Sequence, residues 1–328
     1  LSRLQILPRQ ASARLLHSFY GKLPLRQVML YAGARRFWPE LETLDIQRKI
    51  VGTGEVITFL YSVPLALIGL VWLATVSDFR AAAQQWPLLL LLAGLMFCFR
   101  KLGFFLITEI RSGRYASSDG SMESMVLWIG LFLVGPVVLW LAVVWSGIDL
   151  VWNWPKLRAS IDRWSRLRNF SFYQASIVLA SLVGFSCYRR WGGEIPIPEL
   201  SERTIVPAFG AILVHFLLVW LIWLGFFLYA IWSQSVLTSS SSVKPVVRFL
   251  FLALGLPNLA HPFAILGAGL YTQNGLLTFT LFISGLLMVA ALTRQLSWAA
   301  ERDRQRSRQL ENLEELGRRI LNAPPDAS

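Results

Sequence analysis

Between Arg203 and Lys244 the chain runs for 40 residues without a charged side chain, and between Arg248 and Arg294 it runs for another 45. About 20 apolar residues in a helix rising 1.5 Å per residue cross the hydrocarbon of a bilayer, so each run holds more than one crossing's worth of chain. Inside lipid the backbone has no water to bond, and a helix satisfies its own N–H and C=O groups within one segment. The expectation is an all-α fold, a polytopic membrane helix bundle.

Composition agrees. Of 328 residues, 55% are hydrophobic and only 15% charged, and the mean hydropathy is +0.53; these values belong to integral membrane chains. Many of the 14 tryptophans (Trp86, Trp145, Trp152, Trp154, Trp191, Trp232) stand at the edges of apolar runs, where an amphipathic ring sits well among headgroups. The net charge of +12 comes from basic residues flanking hydrophobic spans, not from a face with interleaved stacking aromatics. It reads as contact with anionic lipid, and nucleic acid is not an expected partner. Both cysteines, Cys98 and Cys187, fall in apolar segments, which argues against a disulfide framework or a zinc site. The chain begins at Leu1 with no cleavable leader pattern and is expected to be part of a longer product.

Three regions follow. Residues 1–53 carry nine basic side chains against Glu40, Glu42 and Asp45, and suit either helices lying on the membrane surface or a partly disordered basic leader. Residues 54–293 hold about seven apolar segments: Val56–Val76, Pro87–Ile110, Ser124–Ile148, Ser171–Tyr188, Ile205–Trp232, Val246–Tyr271 and Asn274–Thr293. Arg100 and Lys101 interrupt the second, which makes a short or re-entrant excursion cheaper than a crossing. Thr272-Gln273-Asn274-Gly275 is a turn signal that divides the 45-residue run. Pro155–Phe170, with Leu157, Ile161, Trp164 and Leu167 at helical spacing, reads as an amphipathic surface helix. Ser239–Ser242 reads as a polar loop.

Counting Lys and Arg in the connections, six crossings with a returning second segment put 23 basic residues on the side of both termini and 8 on the other. The positive-inside rule then places the C-terminus in the cytoplasm and the protein in the inner (plasma) membrane.

Polar groups inside the spans are few. His215 and His261 lie deep in uncharged runs, where two imidazoles could ligate a b-type haem or simply bond neighbouring backbone and hydroxyl groups. No cofactor or metal is expected. In Gly255–Pro262 two prolines bracket Asn258 and His261, a pattern of broken helices that line cavities and equally of a structural kink. Asn258, His261, His215, Gln174 and Tyr271 are the candidate lining of a ligand-responsive interior. No catalytic motif is present in the chain, so an enzyme activity within these residues is not expected.

Residues 294–328 are abruptly polar. Leu310, Leu313, Leu316 and Ile320 form an apolar stripe on a charged helix, with the last three spaced a-d-a. Such a helix could pair with its twin in a homodimer or pack as a solvated helix on its own protein. The run Leu310-Glu311-Asn312-Leu313-Glu314-Glu315-Leu316-Gly317-Arg318-Arg319-Ile320 resembles the approach to a GAF domain in bacterial multidomain signalling proteins, including sensor histidine kinases of two-component systems. The resemblance covers about the last 19 residues. It implies a membrane sensor or receptor module whose signalling helix passes a change to a downstream cytoplasmic domain in cis, a kinase or other regulator. A transporter or channel is the competing expectation, and a haem-binding redox subunit a third.

Overall fold

The computed structural model describes residues 25–111, 114–157, 159–235, 255 and 258–321. Among them the fold is helical, with one two-stranded hairpin. Among the described residues, five stretches are long and apolar enough to cross a membrane: Arg48–Val76, Pro136–Lys156, Ser160–Arg190, Glu202–Phe226 and Pro262–Ser307. The 246–254 part of the sixth apolar segment and the Ser239–Ser242 loop lie outside the described residues. The described residues divide into two compact units, one drawn from residues 1–76, 140–183 and 215–242, the other from 77–139, 184–214 and 243–328.

In the first unit, α1 (Leu25–Phe37) and a 3-10 turn (Pro39–Thr43) lead into α2 (Ile46–Val76). Asp45 caps α2, accepting the Arg48 N–H at 2.9 Å, so the helix starts where its free donors find a carboxylate. Tyr31, Ala34, Trp38, Leu41 and Val56 form a buried cluster against which Ile161 and Trp164 pack. The described part of the basic N-terminal region is thus tied to the bundle by aromatic packing, with the Trp38 ring 6.1 Å from Trp164, which in turn lies 5.4 Å edge-on to Phe59 of α2.

α6 (Leu139–Asn153) and α7 (Ser160–Arg190) also enter this unit, α7 being α-helical over Ser160–Tyr173, π-helical over Gln174–Leu179 and α-helical again over Ala180–Arg190. The sequence reading treats Pro155–Phe170 as a separate surface helix. The structure joins it to the following span, because nothing between Asn169 and Ser171 breaks a helix and the apolar face finds Trp38 and Phe59 instead of lipid. α2 approaches α7 closely at Gly69, where a Cβ would stand 3.1 to 3.3 Å from Leu179 atoms.

In the second unit, α4 (Trp86–Lys101) follows the short α3 (Phe79–Gln84) and ends at Arg100 and Lys101, where cations complement the C-terminal end of the helix dipole. Sixteen residues reach only about 24 Å. The apolar segment expected to run on to Ile110 changes form instead: β1 (Phe104–Arg111) pairs antiparallel with β2 (Arg114–Gly120), Phe104 opposite Gly120. The β-branched and aromatic content of Phe-Phe-Leu-Ile-Thr-Glu-Ile favours a strand there.

The expected span Ser124–Ile148 is broken in the structure. α5 (Glu123–Leu133) has every residue from Met125 to Leu133 buried, and Gly135 (φ 90°, ψ −164°) and Pro136 separate it from α6. That conformation is open to glycine almost alone, and Pro136 can donate no helical hydrogen bond. The loop before α8 (Glu202–Ser235) meets the broken end: the Ile197 N–H donates to the Phe132 carbonyl at 3.1 Å.

The last two helices, α9 (262–274) and α10 (276–321), are divided at Gly275, with φ 78° and ψ −172°. Tyr271 and Phe279 stack edge to face at 5.5 Å, and a Cβ on Gly267 would lie 3.3 Å from the Phe282 ring. Residues equally distant from Gly275 meet, so the two helices run antiparallel and the Asn274-Gly275 turn signal is realised. Open space surrounds Gly275, so substitution there tests backbone conformation alone. Gly275→Ala is expected to destabilise the hairpin by about 2 kcal/mol, whereas Gly285→Ala, also in open space but helical, is neutral or stabilising; thermal unfolding in detergent micelles compares them.

Candidate functional site

α7 carries polar side chains at intervals along the face it turns into the first unit. Arg168, Ser171 and Gln174 are three residues apart and share one stripe; after the π-helical turn the next polar member is Ser181. A π segment inside an α-helix shifts the face that follows it and is often found at functional positions.

Each of the four has a partner on another helix. The Arg168 guanidinium donates to Glu55 on α2, Nη1 to Oε1 at 2.8 Å, with the two side chains only 21% and 13% exposed. Its Nε and Nη2 also bond the neighbouring Asn169 Oδ1, and the Phe226 ring lies 5.6 Å from the guanidinium carbon. Ser171 and Ser62 of α2 share a hydrogen bond at 2.5 Å. The Gln174 amide donates from Nε2 to Ser146 of α6, also at 2.5 Å. Ser181 meets His215 of α8, Oγ to Nδ1, at 3.3 Å. Ser62, Ser171, Gln174, Ser181 and His215 are all buried. Phe172, stacked edge to face on Trp223 and Phe226 at 5.0 and 5.1 Å, supplies an aromatic wall beside the file.

Two of the five residues singled out from sequence, Gln174 and His215, belong to this file, at different levels. The other three lie in the second unit. There the buried His261 ring bonds through Nδ1 to the Asn258 carbonyl at 2.9 Å, closing a local turn, while Tyr271 packs on Phe279 at the α9–α10 turn.

Glu55, Arg168, Ser62, Ser146, Ser171 and Ser181 escape a sequence reading. A signal existed for the first two. Glu55 is an acid one residue before the first apolar segment, and Arg168 a base three residues before the fourth, so opposite charges stand at the margins of two spans. Serines inside apolar runs carry no such mark, because they are also the ordinary small residues of helix contacts.

On α10, Leu310 and Leu313 are 67% and 63% exposed. The side chains of Leu316 and Ile320 lie outside the described residues. The Arg294 guanidinium at the root of the charged part donates to the Lys101 carbonyl at the end of α4. Set against protein families, curated proteins and solved structures, the chain finds no match.

Proposed function

We propose that this chain is a membrane-embedded sensory module, seated in the plasma membrane with its C-terminus in the cytoplasm, whose last helix relays a conformational change to a regulatory domain in cis. The observation that supports it is the continuity of α10. From residue 276 it stays helical to Leu321, 46 residues or about 69 Å with no further break, and leaves its apolar part at Thr293. A helix that begins among membrane segments and ends as a charged rod transmits rotation or axial displacement with little loss. The apolar Leu310 and Leu313 on the exposed rod suit pairing with a second copy, and the resemblance of residues 310–320 to helices that precede GAF domains points the same way.

The test is labelling of the full chain in cells. In a background with Cys98→Ala and Cys187→Ala, Ser307→Cys is expected to react with a membrane-impermeant maleimide only after permeabilisation. Leu313→Cys is expected to form a disulfide dimer in membranes more readily than Glu314→Cys. Labelling of Ser307→Cys in intact cells would overturn the relay.

A further inference from the structure

We propose that the polar file in the first unit is a proton-conducting relay through the membrane. The proposal stands apart from the sensory reading, which rests on α10.

The file has the required length. From Arg168 to Ser181 is 13 residues of α7, about 20 Å along the axis, or some two thirds of the hydrocarbon thickness. Over that distance the chain places a carboxylate, four serine hydroxyls, an amide and an imidazole, each in contact with the file's own members. Hydroxyl and amide hydrogen bonds are ordinary glue between membrane helices, but cohesion calls for no ionisable carboxylate. Small-residue contacts such as Gly69 on Leu179 provide it without burying an ionisable group. Ionisable side chains facing a bundle interior are costly and mark ion and proton pathways.

Two acceptor atoms in the file are buried and have no hydrogen-bond partner: Glu55 Oε2 and Gln174 Oε1. Gln174 is fully buried. Free acceptors in such places call for a donor, and water or a hydrated proton is the donor small enough to reach them. Levels 168, 171 and 174 are about 4.5 Å apart along the helix, near enough for hydroxyls and water to hand protons on. The interval from Gln174 to Ser181 is about 10 Å, and Gln174 Oε1 is the acceptor that a bridging water there would use.

The transfer balances without a co-reactant. A proton arriving from water protonates the Glu55 carboxylate; each hydroxyl or water then takes a proton on oxygen while releasing its own to the next. His215 takes the proton at one ring nitrogen and releases the proton of the other to water, and the ring then returns to its starting tautomer. No atom or electron is gained or lost. Arg168, the charged group facing Glu55 from α7, stays protonated throughout, and its fixed positive charge opposes the passage of sodium or potassium.

The full chain is reconstituted in liposomes holding the pH dye pyranine, and a potassium diffusion potential is imposed with valinomycin. Wild type is expected to acidify the lumen at least five-fold faster than protein-free vesicles. Gln174→Leu and Glu55→Gln are expected to fall to the protein-free rate with helix content unchanged by circular dichroism. Thr280→Val, which removes a hydroxyl on α10 outside the file, keeps the wild-type rate. Should Gln174→Leu, or Glu55→Gln, which leaves the Arg168 guanidinium without its carboxylate, fail to fold, Ser181→Ala carries the same expectation. No flux above protein-free vesicles from folded wild type, wild-type flux in the file variants, or an equal sodium flux would each overturn the proposal. None of these outcomes bears on where Ser307 lies, so the relay in α10 and the proton file fail separately.

Discussion

Arg168→Met is expected to destabilise the protein by about 3 kcal/mol, because it removes one partner of a largely buried ion pair and leaves the other charged. Glu55 would then keep a carboxylate 87% shielded from solvent with no cation beside it. The desolvation of that group, already paid in the native fold through Arg168, would go uncompensated. The second substitution decides the cause. Arg168→Met with Glu55→Leu restores apolar packing in place of two charges, and the double variant is expected to recover most of the loss. Thermal or denaturant unfolding in detergent micelles reads both. A loss below about 0.5 kcal/mol for the single variant, typical of an exposed pair, would mean that solvent reaches the site; a double variant as weak as the single would mean that packing, not charge, was removed.

Tyr188→Ala is expected to cost about 4 kcal/mol in the second unit, the scale of a buried aromatic ring deleted to a methyl. The ring is wholly buried and stacks on Phe132 at 5.1 Å and Phe185 at 6.0 Å. It also fills the space beside Gly193, where a Cβ would collide with it. Its hydroxyl donates to the Glu194 carbonyl at 2.7 Å, and the neighbouring Arg189 holds the Gly193 carbonyl at 2.9 Å, so the end of α7 and the loop after it are fastened together. Tyr188→Phe separates the two contributions. It keeps the ring, loses one hydrogen bond and is expected to cost about 1 kcal/mol. Equal losses for the two variants would place the energy in the hydrogen bond instead of the ring. The same unfolding measurement, with proteolysis in the 191–201 loop as a local readout, distinguishes these outcomes.

How far the site was legible depends on the kind of residue. His215 and Gln174 stand out because an imidazole or an amide in an apolar run is rare and must be bonded. Arg168 does not, because on a linear sequence it belongs to a basic stretch with Arg163 and Arg166 that a surface helix would carry to water. Its burial follows from the Trp164 face docking on α2, a contact between residues more than a hundred positions apart. Tyr271, Asn258 and His261 are equally conspicuous in sequence, yet their bonds and contacts close local turns of the second unit.

Charge-free stretches of 40 and 45 residues, basic flanks and edge tryptophans determine by themselves that this is a helical membrane-type chain, since lipid admits few other backbones and hydropathy is a local property. The Asn274-Gly275 turn is local too, because only glycine relaxes into the φ and ψ found there. The tertiary structure alone decided that one apolar segment stops at Lys101 and becomes a hairpin, that another breaks at Gly135, and that Glu55 and Arg168 meet. Those outcomes turn on which distant surface covers an element, and the energy of a covered face is a property of the pair in contact, absent from either sequence segment read alone.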